Sequence, residues 1–202
     1  MVASIFGMIS QLGLRKRLLI TGTGPRVGKT TIGCALGFAM RARGMRVGVM
    51  KPVDTLESQD AQALALAVGS VMPMDLICPY PDSSTLAPDP ARIARCFNEI
   101  AAQSDVVLVE SANTIDFAGL ASMLELEVII VAGNRPGCVD AATLALNRCK
   151  NRGLKLAGAI LCDCDPTPET NDAATQELFG DSWLGRMRHR EPLAKAIVDQ
   201  LI

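Results

Sequence analysis

Short apolar runs with no polar alternation recur along the chain, separated by stretches of helical periodicity. Leu18–Thr21, Val47–Lys51, Val106–Glu110, Val128–Ala132 and Leu156–Leu161 predict strands, with a short sixth at Trp183–Gly185. Helical patterns fill the intervals at Lys29–Arg43, Asp60–Val68, Ala91–Gln103, Phe117–Leu124, Val139–Arg152 and Thr170–Phe179, and Pro192–Leu201 reads as a closing helix. A strand apolar on both faces is buried on both faces, and strict β–α alternation joins parallel neighbours. The pattern predicts a single-domain α/β fold over 17–202, a parallel sheet with helices on both faces, preceded by an extension over 1–16.

On such sheets, ligands bind beyond the carboxyl ends of the strands, so the residues that follow each run carry the candidate chemistry. After the first run stands Gly22-Thr23-Gly24-Pro25-Arg26-Val27-Gly28-Lys29-Thr30-Thr31, leading straight into a helix. A glycine-rich turn between strand and helix lets backbone N–H groups approach a phosphate at the positive end of the helix. Lys29 is placed to neutralise the β- and γ-phosphates and the Thr30 hydroxyl to bind Mg²⁺. The strict spacing would put glycine at position 23. Thr23 stands there and Gly22 precedes it, so the loop is one residue longer than the standard form. These features predict a P-loop nucleotide-binding fold, with Gly22, Thr23, Gly24, Val27, Gly28, Lys29, Thr30 and Thr31 as nucleotide contacts. A plain strand–turn–helix connection is the alternative.

Composition narrows the partners. Hydrophobic residues make up 49% of the 202 and aromatic ones only 3%, the small, branched set that suits a buried parallel sheet. A net charge of −1 and the lack of a long basic run disfavour nucleic acid. The seven cysteines are odd in number and scattered, as expected of reduced thiols in a cytoplasm rather than a disulfide framework. Met1–Leu14 is mildly apolar, but its charges, Arg15, Lys16 and Arg17, follow it. A secretory signal has the reverse order, and the run is too short to span a bilayer. It reads as a flexible extension or a short docking helix without stable membrane insertion; weak association with a membrane surface is the lesser alternative.

Four segments together resemble dethiobiotin synthetase, the family of ATP-dependent ligases that closes the ureido ring in biotin synthesis. They are the phosphate loop with its helix, Met50-Lys51-Pro52-Val53, Val107-Leu108-Val109-Glu110, and Val128–Cys138 with Leu156–Leu161. The Lys-Pro-Val after the second strand is the most specific, because general phosphate-loop ATPases lack it. The resemblance implies ATP as substrate, Mg²⁺ as cofactor, a diamine and CO₂ as the other substrates, and a cytoplasmic homodimer. It implies Lys29 and Lys51 as catalytic residues, Lys51, Thr55 and Glu110 as substrate contacts, and Thr30, Asp60 and Glu110 around the metal. Cys162 stands where the family places an asparagine that reads adenine. Other departures are Gly24, Pro25 and Arg26 in the loop, Ser111-Ala112-Asn113-Thr114 in place of Gly-Ala-Gly-Gly, and Gly185-Arg186-Met187-Arg188 in place of Gly-x-x-Pro.

Simpler readings stand beside these. Lys51 can be a surface lysine at a strand end, and Asp60 an anion complementing a helix dipole. Cys162 and Cys164 are too few for a zinc set. His189, the only histidine, sits in a basic loop and reads as solvated, with nucleotide contact as the alternative. Two other function classes remain open: an ATPase switch acting on partner proteins, and a degenerate homologue that binds Mg²⁺-nucleotide with a different substrate.

Overall fold

The computed structural model describes residues 16–55, 59–82, 87–112, 116–165, 168–193 and 195–202. Strands β1 (Lys16–Gly22), β2 (Val47–Met50), β3 (Val106–Glu110), β4 (Glu127–Gly133), β5 (Leu156–Cys162) and β6 (Trp183–Met187) form one sheet in the order β2-β3-β1-β4-β5-β6. All five pairings are parallel. Helices α1 (Lys29–Ala42), α2 (Asp60–Ala67), α3 (Met74–Ile77), α4 (Pro90–Ala102), α5 (Phe117–Leu124), α6 (Cys138–Asn151), α7 (Asp172–Phe179) and α8 (Lys195–Asp199) cover it.

Two apolar layers separate along the pleat. Leu19, Val107, Val109, Ile130 and Leu161 face α4, α5 and α6 through Phe97, Ala118 and Leu146. Leu18, Ile20, Leu108, Ile129 and Ile160 face α1, α2 and α8 through Leu36, Leu64 and Val198. Every residue of β3 is buried, which accounts for its continuous apolar sequence. No helix among the described residues is long and apolar enough to cross a membrane.

Three expectations shift. β1 opens at Lys16, paired with Val106, so the strand takes in the last residue assigned to the extension; residues 1–15 lie outside the described residues. The ladder of β2 ends at Met50 rather than Lys51, because the Lys51 N–H turns to the carbonyl of Ile77 (2.9 Å). α3, which supplies that carbonyl, has four residues, too few to register as periodicity. β6 runs on to Met187, whose carbonyl accepts from the Asp163 N–H at 2.9 Å. The closing helix is described only over Lys195–Asp199.

The register puts the six strand ends on one edge. Ile20 pairs with Glu110, Gly22 with Val131, Gly133 with Cys162, and Cys162 with Met187. Lys51 and Glu110 therefore stand over the β2–β3 side, the phosphate loop over β1, and Cys162 and Met187 over β5 and β6.

Candidate active site

A cavity of about 630 Å³ opens over this edge. The loop that floors it turns into α1 at Gly28, whose φ of 93° is left-handed, a conformation that favours glycine. A side chain there would also meet Cys162 Sγ at 2.5 Å. Val27, Gly28, Lys29, Thr30, Thr31, Lys51, Thr55, Asp60, Glu110 and Cys162 all line the cavity, although they come from five separate stretches of chain. Gly22, Thr23 and Gly24 do not line it. They shape the loop instead: the Thr23 N–H donates to Val131 O (3.0 Å), Thr23 Oγ1 accepts from the Gly133 N–H (3.4 Å), and Gly24 O accepts from Lys29 Nζ (3.2 Å). A glycine-rich motif marks where the loop is; which of its residues face the ligand depends on the longer spacing.

Lys51 is not a surface lysine. Only 4% of it is exposed, and its ammonium donates to Glu110 Oε1 at 2.6 Å and to Asp60 Oδ2 at 2.8 Å. Its backbone is held extended by the segment after α3. Tyr80 N–H donates to Pro52 O (3.2 Å), and the Asp54 N–H donates to Tyr80 O (2.9 Å). Burial lowers the Lys51 pKa, but Glu110 and Asp60 outweigh that, and it lies above its ordinary value. An ammonium sealed from water needs such counter-charge. Burial also pulls the neighbouring Lys29 ammonium down; Glu110 and Asp60 raise it, Lys51 lowers it, and the net shift is downward.

Glu110 ends β3, 1% exposed, and burial pushes its carboxyl up against the pull of Lys51. Its Oε1 also accepts from Thr30 Oγ1 at 3.0 Å, so the P-loop hydroxyl and the β3 carboxylate meet. Its Oε2 is buried and has no hydrogen-bond partner in the structure described. A buried carboxylate oxygen left bare is costly. Asp60 opens α2 as the one acidic residue of its first turn, so it complements the helix dipole and pairs Lys51 at once. Thr30, Asp60 and Glu110 are hard oxygen donors, which fit Mg²⁺, an ion that keeps waters and phosphate oxygens as its remaining ligands. The bare Glu110 Oε2 is the observation in favour of a cation there.

Two contributors went unnoticed in the sequence. Asp54 is 6% exposed; its carboxylate accepts from the Thr55 N–H (2.9 Å) and the Ala61 N–H (3.3 Å), tying the Lys51 segment to the start of α2. An acid between an apolar strand and a helix was its only signal. At the other end, Asp163 is locked by Arg186 and by Asn134 (2.7 Å), while Arg186 also pairs Asp172. Met187, His189 and Arg190 complete the wall there. Ser111 and Ala112 line the cavity beside Glu110; Asn113 and Thr114 lie outside the described residues. Among the described residues no group of three or more His, Cys, Asp or Glu is disposed to hold a metal.

A family model described as an AAA domain (AAA_26) matches residues 16–196. The ATP-dependent dethiobiotin synthetase BioD of Anaeromyxobacter dehalogenans strain 2CP-C is 34% identical over 204 residues, spanning 88% of this chain and 87% of that protein. The enzyme of the same name from Xylella fastidiosa strain 9a5c is 33% identical, spanning 86% and 90%. Among solved structures, a ParA family ATPase from Chlorobium tepidum superposes with a TM-score of 0.63 at 16% identity, over 93% of this chain and 98% of that one. The septum site-determining protein MinD of Pyrococcus horikoshii, complexed with Mg-ADP, gives 0.63 at 15%, over 93% and 86%. At such identities these two speak for the P-loop fold alone. The fold, the buried lysine after β2 and the length of the match to the synthetases agree: the chain belongs to the dethiobiotin synthetase family, a family of ligases.

Proposed function

We propose that this protein carboxylates 7,8-diaminononanoate at the expense of ATP and closes the ureido ring of dethiobiotin. The observation that carries the reading is Lys51. A generic P-loop ATPase needs no second buried lysine held at the edge of its phosphate site, whereas transfer of a phosphoryl group to a bound carbamate does.

One amine of the substrate captures CO₂ as a carbamate. A carbamate oxygen attacks the γ-phosphorus, the bond to ADP breaks, and a carbamic–phosphoric anhydride forms. The second amine then attacks the carbonyl carbon, phosphate leaves with the former carboxyl oxygen, and the ring closes. There is little covalent work for the protein; positioning and charge neutralisation dominate. Lys29 binds the β- and γ-phosphates. Lys51 lies one connection away and meets the charge shared between carbamate and transferred phosphoryl. Thr30, Asp60 and Glu110 would hold Mg²⁺, which neutralises triphosphate charge when bound. Thr55 and Glu110 border the space left for the diamine, and Cys162 abuts the nucleotide end. The same reading assigns a cytoplasmic homodimer.

The test is incubation with ATP, bicarbonate and the diamine, with the product read by mass. Dethiobiotin should form only when all three are present. Nucleotide binding without any ring-closed product would overturn the reading and favour a homologue with another substrate.

A further inference from the structure

Residues 162–165 read Cys-Asp-Cys-Asp, and the proposed reaction uses neither thiol. Alternation at the end of β5 divides their side chains. Asp163 turns to Arg186 and Asn134, while Cys162 and Cys164 both line the cavity. Cys162 Sγ lies against Gly28, and Cys164 Sγ lies 3.5 Å from where a Cβ on Gly133 would be. The two sulfurs therefore flank the phosphate loop on its β4–β5 side. The two thiols are in hydrogen-bond contact, and residues two apart on an extended chain have Cα atoms about 6.5 Å apart, near the upper limit that a disulfide spans. Cys164 is half-exposed and Cys162 buried.

We propose that Cys162 and Cys164 form an oxidisable dithiol in the wall of the nucleotide cavity, a thiol-modification site that reacts with hydroperoxides through Cys164 and is resolved by Cys162.

The environment separates Cys164 from the rest. Hydrogen bonding with the Cys162 thiol, and after it Arg135, lowers its pKa against burial and the repulsion of Asp163 and Asp165, and its Sγ also lies 3.5 Å from the Cys162 carbonyl oxygen. Each of the other six thiols is raised, Cys34 and Cys78 to about 11 by burial. The thiolate is the nucleophile. It attacks the peroxide O–O bond: an S–O bond forms, the alkoxide leaves and takes a proton, and Cys164 becomes a sulfenic acid. Cys162 is held protonated first by its hydrogen bond to the Cys164 thiolate and then by burial, and the first of these causes vanishes once Cys164 is uncharged. Its sulfur attacks the Cys164 sulfur, the S–S bond forms, the S–O bond breaks, and water departs. In sum, two thiols and one hydroperoxide give one disulfide, one alcohol and one water. Bridging draws Cys162 Sγ from its seat against Gly28 and so loosens the loop.

The test uses the full chain. At pH 7.5, limited iodoacetamide labelling followed by peptide mass mapping should modify Cys164 about tenfold or more faster than any other cysteine, and C164S should lose only that fast label. Stoichiometric hydrogen peroxide should yield a species lighter by two hydrogens, with a mapped 162–164 bridge that dithiothreitol reverses; C162S should instead trap a sulfenic acid on Cys164. Labelling of Cys164 no faster than Cys34, or oxidation straight to sulfinic acid without a bridge in the wild type, would overturn the proposal. Calorimetry with a non-hydrolysable ATP analogue should show about tenfold weaker binding to the bridged form. This last arm rests on the nucleotide reading: no binding to the reduced form would sink that reading and leave the thiol result standing.

Discussion

The two ends of the cavity are built on different terms. Over β2, β3 and β1, four charged or hydroxyl side chains, Thr30, Lys51, Asp60 and Glu110, are joined by hydrogen bonds, with Lys29 in the same wall, and each is a position the sequence resemblance singles out. Over β4, β5 and β6, the wall is Cys162, Cys164, Met187, His189 and Arg190, and the strong polar group, Asp163, is already taken by Arg186 and Asn134. On the proposed reaction, the first end answers to the chemistry, in which a misplaced charge costs rate, and the second to a nucleoside's aromatic face and edge, where several solutions serve.

The contrast can be broken by substitution. The largest effect is expected from Glu110→Ala. Removing one partner of a buried ion pair strands Lys51 and costs about 3–5 kcal/mol, read as a lowered midpoint in urea unfolding; a loss below about 1 kcal/mol would show that Asp60 alone satisfies the ammonium. Next comes Lys51→Ala. A preorganised charge at the transferred group is worth about 2.7–4 kcal/mol, so turnover should fall by roughly a hundredfold or more while nucleotide affinity barely moves. Lys51→Arg should rescue poorly, since a planar fork does not replace a compact ammonium at close contact. Turnover that survives in Lys51→Ala would remove the distinction from a generic ATPase.

Smaller shifts sharpen the comparison. Lys29→Ala should weaken binding of a non-hydrolysable ATP analogue by about tenfold or more, the loss of a charge-assisted hydrogen bond of about 1.5–3 kcal/mol, measured by calorimetry. At the other end, competition among ATP, GTP and CTP should spread by less than about a hundredfold (2.7 kcal/mol), because a thiol at position 162 lacks the paired donor and acceptor of an amide. A wider spread would mean that the backbone around Met187 and His189 reads the base.

What the sequence made legible follows the same division. The strands and major helices are local, periodic patterns, and Lys51 and Glu110 announce themselves as charges leaving apolar runs. The pairing of the two is a register fact: β2 and β3 are neighbours although their residues lie far apart in the chain, and neither periodicity nor the family likeness, which gives the two residues separate roles, supplies it. Asp54, α3 and the Asp163–Arg186–Asp172 cluster were not legible. Each depends on a contact between distant segments, such as the Ile77 carbonyl that turns Lys51 out of the ladder, and four helical residues leave no repeat to read. The reactive contrast between Cys162 and Cys164 was equally hidden, since both look like apolar-strand cysteines until burial and hydrogen bonding part them.

The central claim is that the cavity phosphorylates a carbamate and does not simply hydrolyse ATP. Oxygen transfer tests it most directly. With C¹⁸O₂, the diamine and ATP, and sampling faster than label exchanges with water, the released phosphate should carry one ¹⁸O for each dethiobiotin formed, because the carboxyl oxygen leaves with phosphorus. Phosphate that carries no label from C¹⁸O₂, and instead takes its oxygen from water, would contradict the account.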